Sequence, residues 1–308
     1  IVPRYQTMRG YRVDRRFGWD CHGLPAEMEV ERELDVSGRA AITEYGIDRF
    51  NDRCRESVLR YTGEWEKTVT RQARWVDFTN DYKTMDPSYM ESVMWAFKQL
   101  WEKGLIYEAF RVMPYSWGAE TPLSNFEIRL DDATRPRQDP AITVAFDLEP
   151  RTDDPGPMRL LAWTTTPWTL PSNLAVGVGP DVDYVLRRDP DGFVYVLGAA
   201  AQERYETQLA GTEDLGVVKG AELVERSYQP LFDFFADRTD AFRVLGADWV
   251  NAAEGTGVVH MAPGFGEEDQ VLCEANDIPI GGVVPVDDRG RFTEDIPEWA
   301  GVNVFEAN

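Results

Sequence analysis

Histidine, lysine and cysteine are scarce in this 308-residue chain, and each scarcity removes a class of chemistry. The only histidines are His22 and His260, so Ser-His-Asp catalysis would have to use one of them, and no G-x-S-x-G elbow accompanies either. The three cysteines, Cys21, Cys54 and Cys273, are far apart and odd in number, with no C-x-x-C pair. Neither a disulfide framework nor a cysteine-rich zinc site is indicated, and a reducing, cytoplasmic setting is expected. No run of 18 apolar residues exists, so no membrane-spanning helix and no membrane partner are expected. The absence of G-x-x-x-x-G-K-[ST], G-x-G-x-x-G and H-E-x-x-H leaves a P-loop ATPase, a dinucleotide-binding enzyme and a zincin unsupported. Lysine occurs five times against 27 arginines, and the net charge of −22 argues against nucleic-acid binding through a general positive field. A local basic strip remains at Arg4, Arg9, Arg12, Arg15 and Arg16, broken only by Asp14; a solvated segment and a phosphate contact account for it equally well. The chain opens Ile1-Val2-Pro3 with no basic-then-apolar leader, and reads as an excised internal segment of something longer.

What is present suits a soluble globular protein: 43% hydrophobic and 28% charged residues, over a length that most naturally makes two domains. The first third reads as helical. Asp86-Pro87 supplies a capping residue and then Pro at the first helical position; Val93, Phe97, Leu100 and Trp101 follow on one face, and Gly104 supplies the stop. An earlier helix is expected near Asp48 and a short one after Pro25. The proline-marked polar stretch Asp131–Pro140 reads as a linker. Beyond it, short β-type runs dominate: Ile142–Phe146, Leu160–Thr164, Tyr184–Leu186, Val194–Leu197, Gly257–His260 and Gly282–Val286. Many short strands between Gly and Pro clusters suggest a compact β-barrel-like or sandwich-like domain.

Three constellations could carry chemistry. Gly18-Trp19-Asp20-Cys21-His22-Gly23-Leu24-Pro25 describes a tight loop over a helix N-terminus, able to set a carboxylate against a ligand's positive group. On chemistry alone, Asp20 and His22 rank as turn-formers ahead of ligand-binding residues. Trp163-Thr164-Thr165-Thr166-Pro167-Trp168-Thr169, running on to Asn173, is crowded with hydroxyls that can orient water or grip a sugar. The same threonines also suit a plain strand, and the two readings stand even. In Gly255–Asp269 a strand delivers His260, a Gly/Pro loop turns, and Glu267-Glu268-Asp269 follows. A carboxylate beside a histidine could bind an ammonium group or position water, although a structural histidine and an acidic helix cap are the simpler explanations of each alone.

Together, in this order and spacing, these segments resemble the isoleucyl members of the class I tRNA synthetases, and the resemblance spans nearly the whole chain. Gly18–Pro25 resembles the loop lining the family's amino-acid pocket, and its Cys-His pair points to isoleucine. Pro114-Tyr115-Ser116-Trp117 and Glu120-Thr121-Pro122-Leu123-Ser124 are similar to the stretch leading into the editing insertion, with Gly118-Ala119 departing where many relatives carry a cysteine. Trp163–Asn173 and Gly255–Asp269 resemble the two editing motifs. The family's H-x-G-H and K-M-S-K-S signatures cannot be present: the histidines stand far apart, and the lysines at 67, 83, 98, 103 and 219 include no pair three residues apart. The family places the first signature upstream of Ile1 and the second beyond Asn308.

The resemblance therefore implies an α/β fragment: a partial Rossmann-type catalytic domain at 1–138 and a β-barrel-like CP1 editing domain at 139–308. The parent would activate isoleucine with ATP and Mg and charge tRNA(Ile), as a cytoplasmic monomer. The editing domain would bind the 3′ end of the tRNA and hydrolyse Val-tRNA(Ile), with no cofactor or metal in this segment. By the same resemblance, Asp269 would hold the α-ammonium of the misattached amino acid. Thr164, Thr165 and Thr166 would grip the terminal adenosine and place the water, and Thr169 and Asn173 would complete that wall. His260 would limit pocket size, and Asp20 would hold the α-ammonium in the charging site. Two other readings are open: a fragment that binds tRNA or ligand without turnover, and the equivalent region of a valyl or leucyl enzyme.

Overall fold

The computed structural model describes residues 1–308, and the chain packs as two units. One comprises Ile1–Ala109 with Gly118–Glu120; the other comprises Phe110–Trp117 and Thr121–Asn308. The packing boundary thus falls at Ala109/Phe110, ahead of the boundary at 138/139 drawn from the resemblance. The expected linker, residues 131–140, is exposed and free of helix or strand, and lies within the second unit.

The first unit is helical around one pair of strands. Its helices are α1 (Val2–Met8), α2 (Leu24–Leu34), α3 (Gly38–Tyr45), α4 (Ile47–Val58), α5 (Thr62–Arg71) and α6 (Pro87–Glu102). Strands β1 (Arg16–Trp19) and β2 (Asp77–Lys83) pair in parallel, with α2 to α5 between them in the chain. The approach is close at Gly18, where a Cβ would sit 2.4 Å from the Tyr82 ring. The Pro87 start and the Gly104 stop stand as the sequence indicates, and Gly104 takes φ +68°; Asp86 holds the N-cap position but its side chain does not cap, accepting the Lys83 N–H at 3.0 Å instead. The apolar face of α6 is not buried, however: none of its residues is.

The second unit holds the main core. A short hairpin joins β3 (Tyr115–Ser116) to β4 (Thr121–Pro122). A five-stranded sheet comes next, in the order β10-β8-β9-β6-β5, from β5 (Ile142–Asp147), β6 (Met158–Thr164), β8 (Asp183–Arg188), β9 (Val194–Gly198) and β10 (Glu213–Lys219). A three-stranded sheet, β11-β7-β12, is built from β7 (Ala175–Val178), β11 (Arg243–Gly246) and β12 (Val258–Met261). Neither sheet closes, which corrects the barrel-like expectation: the strands form two open sheets that share one core. Short helices α7 (Gly220–Leu223), α8 (Glu267–Ala275) and α9 (Val304–Ala307) complete the unit.

Strand β6 shows why this core forms. Its alternation buries Met158, Leu160, Ala162 and Thr164 and turns Trp163 outward, as a two-residue period requires. Leu160 belongs to one core cluster with Phe146 of its own sheet, Val176 and Leu245 of the other, and Leu174 and Tyr228 beside them. All of β7 is buried, as befits the centre of its sheet. The expected strand Gly282–Val286 is absent except for a single bridge from Val286 to Phe292. Gly282 takes φ +79° and Pro285 has no N–H to give a ladder, and either interrupts a strand.

Candidate functional site

Thr164 ends β6, and two prolines dictate the conformation of the next eight residues. Pro167 and Pro171 cannot donate to a ladder, so the chain coils into a 3₁₀ turn over Pro167–Ser172. The threonines hold that turn from within. Thr164 Oγ1 accepts the Thr166 N–H at 3.1 Å, and the Thr166 carbonyl accepts the Thr169 N–H at 3.0 Å and the Thr169 hydroxyl at 2.9 Å. Thr165 and Thr166 remain exposed while Thr164 and Thr169 are buried.

Strand β12 runs antiparallel to β7 and carries His260 inward. The imidazole is spanned on both sides: Nε2 lies 2.8 Å from Thr169 Oγ1 and Nδ1 lies 3.2 Å from Asn173 Nδ2. Burial pushes its pKa down to about 4. Near neutral pH it is therefore an uncharged ring with both nitrogens engaged.

The turn after β12 leads into α8, whose first residues are Glu267, Glu268 and Asp269. Glu267 and Glu268 are exposed, as acidic residues favoured by the helix dipole usually are. Asp269 is half-buried, and one of its oxygens accepts the Ala262 N–H at 2.9 Å. Burial pushes its pKa up; the Ala262 hydrogen bond opposes that shift without cancelling it, and Glu268 adds to it. A carboxylate in this state gains from a cationic partner, because an ammonium group restores the favourable charge balance that burial removed.

These side chains meet in one cleft of about 590 Å³. Thr164, Thr165, Thr166, Thr169, His260 and Asp269 all line it. Asn173 does not; it stands behind His260, buried, as that ring's support. Asp20 belongs to the other unit, on the exposed turn after β1, where the Thr84 hydroxyl donates to it at 3.4 Å. His22 is also exposed there, beside a smaller recess of about 200 Å³ that includes Cys21, Cys54 and Met90. Sequence reasoning missed Trp249 and Glu254, which also line the main cleft, and Tyr228, which reaches Asn173 from the core. None lies in a recognisable pattern; only the packing reveals them. No cluster of His, Cys, Asp and Glu is arranged to hold a metal ion.

The cleft thus brings together a hydroxyl-rich turn, a neutral buried histidine and a carboxylate tethered by one backbone N–H. The family model of the class I tRNA synthetases (I, L, M and V) matches residues 1–258, and the chain belongs to that family. Within it, the chain is 55% identical over 312 residues to the isoleucine–tRNA ligase of Rickettsia canadensis, covering all of this chain and 29% of that protein. It is 54% identical over 325 residues to the isoleucine–tRNA ligase of Rickettsia felis, again over 29% of its length. The chain therefore spans less than a third of the relatives it matches. Among solved structures, the crystal structure of GlLeuRS-CP1 overlaps 47% of this chain and 68% of its own, at 16% identity and a TM-score of 0.38.

Proposed function

We propose that the second unit is the editing part of an isoleucine–tRNA ligase, hydrolysing valine from mischarged tRNA(Ile). The parent enzyme, on this reading, activates isoleucine with ATP and Mg and charges tRNA(Ile), as a cytoplasmic monomer. The parallel β1–β2 pair and its helices are then part of a Rossmann-type catalytic domain, with Asp20 in the charging pocket. The motifs that would hold ATP and its metal are not among these 308 residues, because neither H-x-G-H nor K-M-S-K-S occurs. The functional boundary is placed at 138/139, within the exposed stretch before β5.

The physical need is discrimination. One methylene is worth only about 1–3 kcal/mol in an apolar pocket, a generalisation for which isoleucine against valine is itself the standard example. A second, smaller site must remove what the first admits. The observation that carries the proposal is the tether on Asp269: one oxygen is fixed by the Ala262 N–H in the same cleft that Thr164–Thr166 line. The carboxylate would anchor the α-ammonium of the valyl ester, and the Thr164–Thr166 hydroxyls would hold the terminal ribose and the attacking water. Hydrolysis then returns free valine and the ribose hydroxyl. His260, neutral and held on both nitrogens, would bound the pocket by shape.

The test is single-turnover deacylation of Val-tRNA(Ile) at high chain concentration. Asp269→Ala is expected to slow it by about tenfold or more, consistent with loss of one charge-assisted contact. An unchanged rate would remove Asp269 from this role. The net charge of −22 favours a second reading, in which the chain alone binds the tRNA end too weakly to turn over. Raising the chain concentration towards saturation separates them, because a competent hydrolase gains rate as binding fills whereas a chain that only binds shows no turnover at any concentration.

A further inference from the structure

We propose that Tyr228, which lines no part of the cleft, is a positioning residue for its threonine wall, acting through Asn173 and the tautomer of His260. The inference rests on the hydrolytic reading of the cleft. Tyr228 is buried, its ring set edge-on against Phe146 at 5.1 Å and Phe242 at 6.0 Å. A buried phenol needs a partner for its hydrogen, and this one has a single acceptor, Asn173 Oδ1, at 2.6 Å. That bond fixes one end of the amide. At the other end Asn173 Nδ2 donates to the Ala175 carbonyl at 2.8 Å and faces His260 Nδ1 at 3.2 Å. Turning the amide over would set its oxygen against the Ala175 and Met261 carbonyls and point its hydrogens at the phenol. Both ends therefore enforce one orientation.

The consequence runs on to the wall. With an N–H directed at it, Nδ1 must accept, so the neutral ring carries its hydrogen on Nε2 and donates to Thr169 Oγ1. Thr169 then has one hydrogen to give, and gives it to the Thr166 carbonyl. Every donor points the same way, from Tyr228 through Asn173, His260 and Thr169 to Thr166. In the opposite tautomer Nδ1–H would meet the amide hydrogens and Nε2 would be bare. The Thr169 hydrogen would swing to Nε2 and release the Thr166 carbonyl. The Thr166 carbonyl would lose one of its two hydrogen bonds, keeping only the Thr169 N–H, and the pocket its fixed width.

The chain has two imidazoles, so long-range proton–nitrogen NMR, with His22→Gln for assignment, reads the tautomer of His260 directly. The 308-residue chain is expected to show hydrogen on Nε2 and a bare Nδ1. Tyr228→Phe keeps the packed ring and removes only the donor. It is expected to admit the Nδ1–H form and to lower the preference for valyl over isoleucyl ester of tRNA(Ile) by roughly three- to tenfold. Asn173→Asp makes the neighbour an acceptor and is expected to place hydrogen on Nδ1. The proposal is overturned if the unsubstituted chain holds hydrogen on Nδ1, or if Asn173→Asp leaves Nδ1 bare. It is equally overturned if Tyr228→Phe leaves the nitrogen pattern or the ester preference unchanged. Absence of hydrolysis by the unsubstituted chain would instead defeat the hydrolytic reading, and with it the role assigned to Tyr228, even where the nitrogen pattern is as expected.

Discussion

A Cβ on Gly266 would lie 2.8 Å from the Asp269 carboxyl, so the carboxylate reaches the Ala262 N–H only because that position carries no side chain. The same economy governs His260, whose burial is tolerable only in the uncharged state. Its effect on stability therefore has a definite sign. Above pH 6.5 neither folded nor unfolded chain protonates this ring, and it contributes no pH dependence. Between 6.5 and about 4 the unfolded chain takes up a proton that the folded one refuses, so stability falls as pH falls, and the loss levels off below about 4. The full loss is on the order of 3 kcal/mol. Melting of the second unit monitored from pH 7 to 4 should show this slope, and His260→Gln should flatten it; an equal slope in the variant would count against the assignment. Of the residues involved, Thr164–Thr166, His260 and Asp269 were legible in sequence only through the joint resemblance of their segments to the family's editing motifs; taken singly, a plain strand, a structural histidine and an acidic cap explain them as well or better. Tyr228 and Trp249 were not legible: they reach the site by long-range packing, and no short-range spacing marks them.

At the scale of elements, the legible strands were the ones with alternation or a long β-branched run, such as β6 and β9. Strands β7, β10 and β11 escaped notice for physical reasons. β7 is a four-residue Ala-Val-Gly-Val run buried on both faces, so it has no alternation to read. β11 is equally short, and β10 opens on Glu213-Asp214 with a register shift before Val217. What holds the loop between β5 and β6 is equally non-local. Arg226 reaches Asp154 with both terminal nitrogens, at 2.7 and 2.6 Å, and donates to the Glu149 carbonyl at 2.9 Å. Burial pushes the Asp154 pKa up, but Arg226 and the Arg151 N–H outweigh it and hold the carboxyl below its usual range. Because both partners are almost fully enclosed, removing one strands the other. Arg226→Ala should destabilise the second unit by about 3–5 kcal/mol in urea unfolding. A cost below about 1 kcal/mol would show the pair to be hydrated and dispensable.

At the scale of the whole molecule the two units differ in how well they are built. In the first, the buried hydrophobic residues are Cys21, Val30, Phe50 and Val69 alone, while the second buries a continuous core from two sheets. The amphipathic pattern of α6 was read correctly as a pattern, but the face it defines stays open: Val93, Phe97 and Trp101 are each more than half exposed and Leu100 is 45% exposed. Hydrophobic burial scales with the apolar area removed from water, and conformational entropy scales with residues ordered, so a unit with so small a core keeps little net stability. Nearly all of the margin in this chain therefore belongs to the second unit. Hydrogen exchange should show it directly. Amides of α6 and of the β1–β2 pair are expected to exchange through low-energy openings, while those of β6, β7 and β12 exchange only on global unfolding of the second unit. Added denaturant should abolish protection in the first unit well before the second. If both units lost protection together, at one midpoint and with one slope, the division of stability drawn from the burial pattern would be wrong, and the exposed face of α6 would have to be covered in solution.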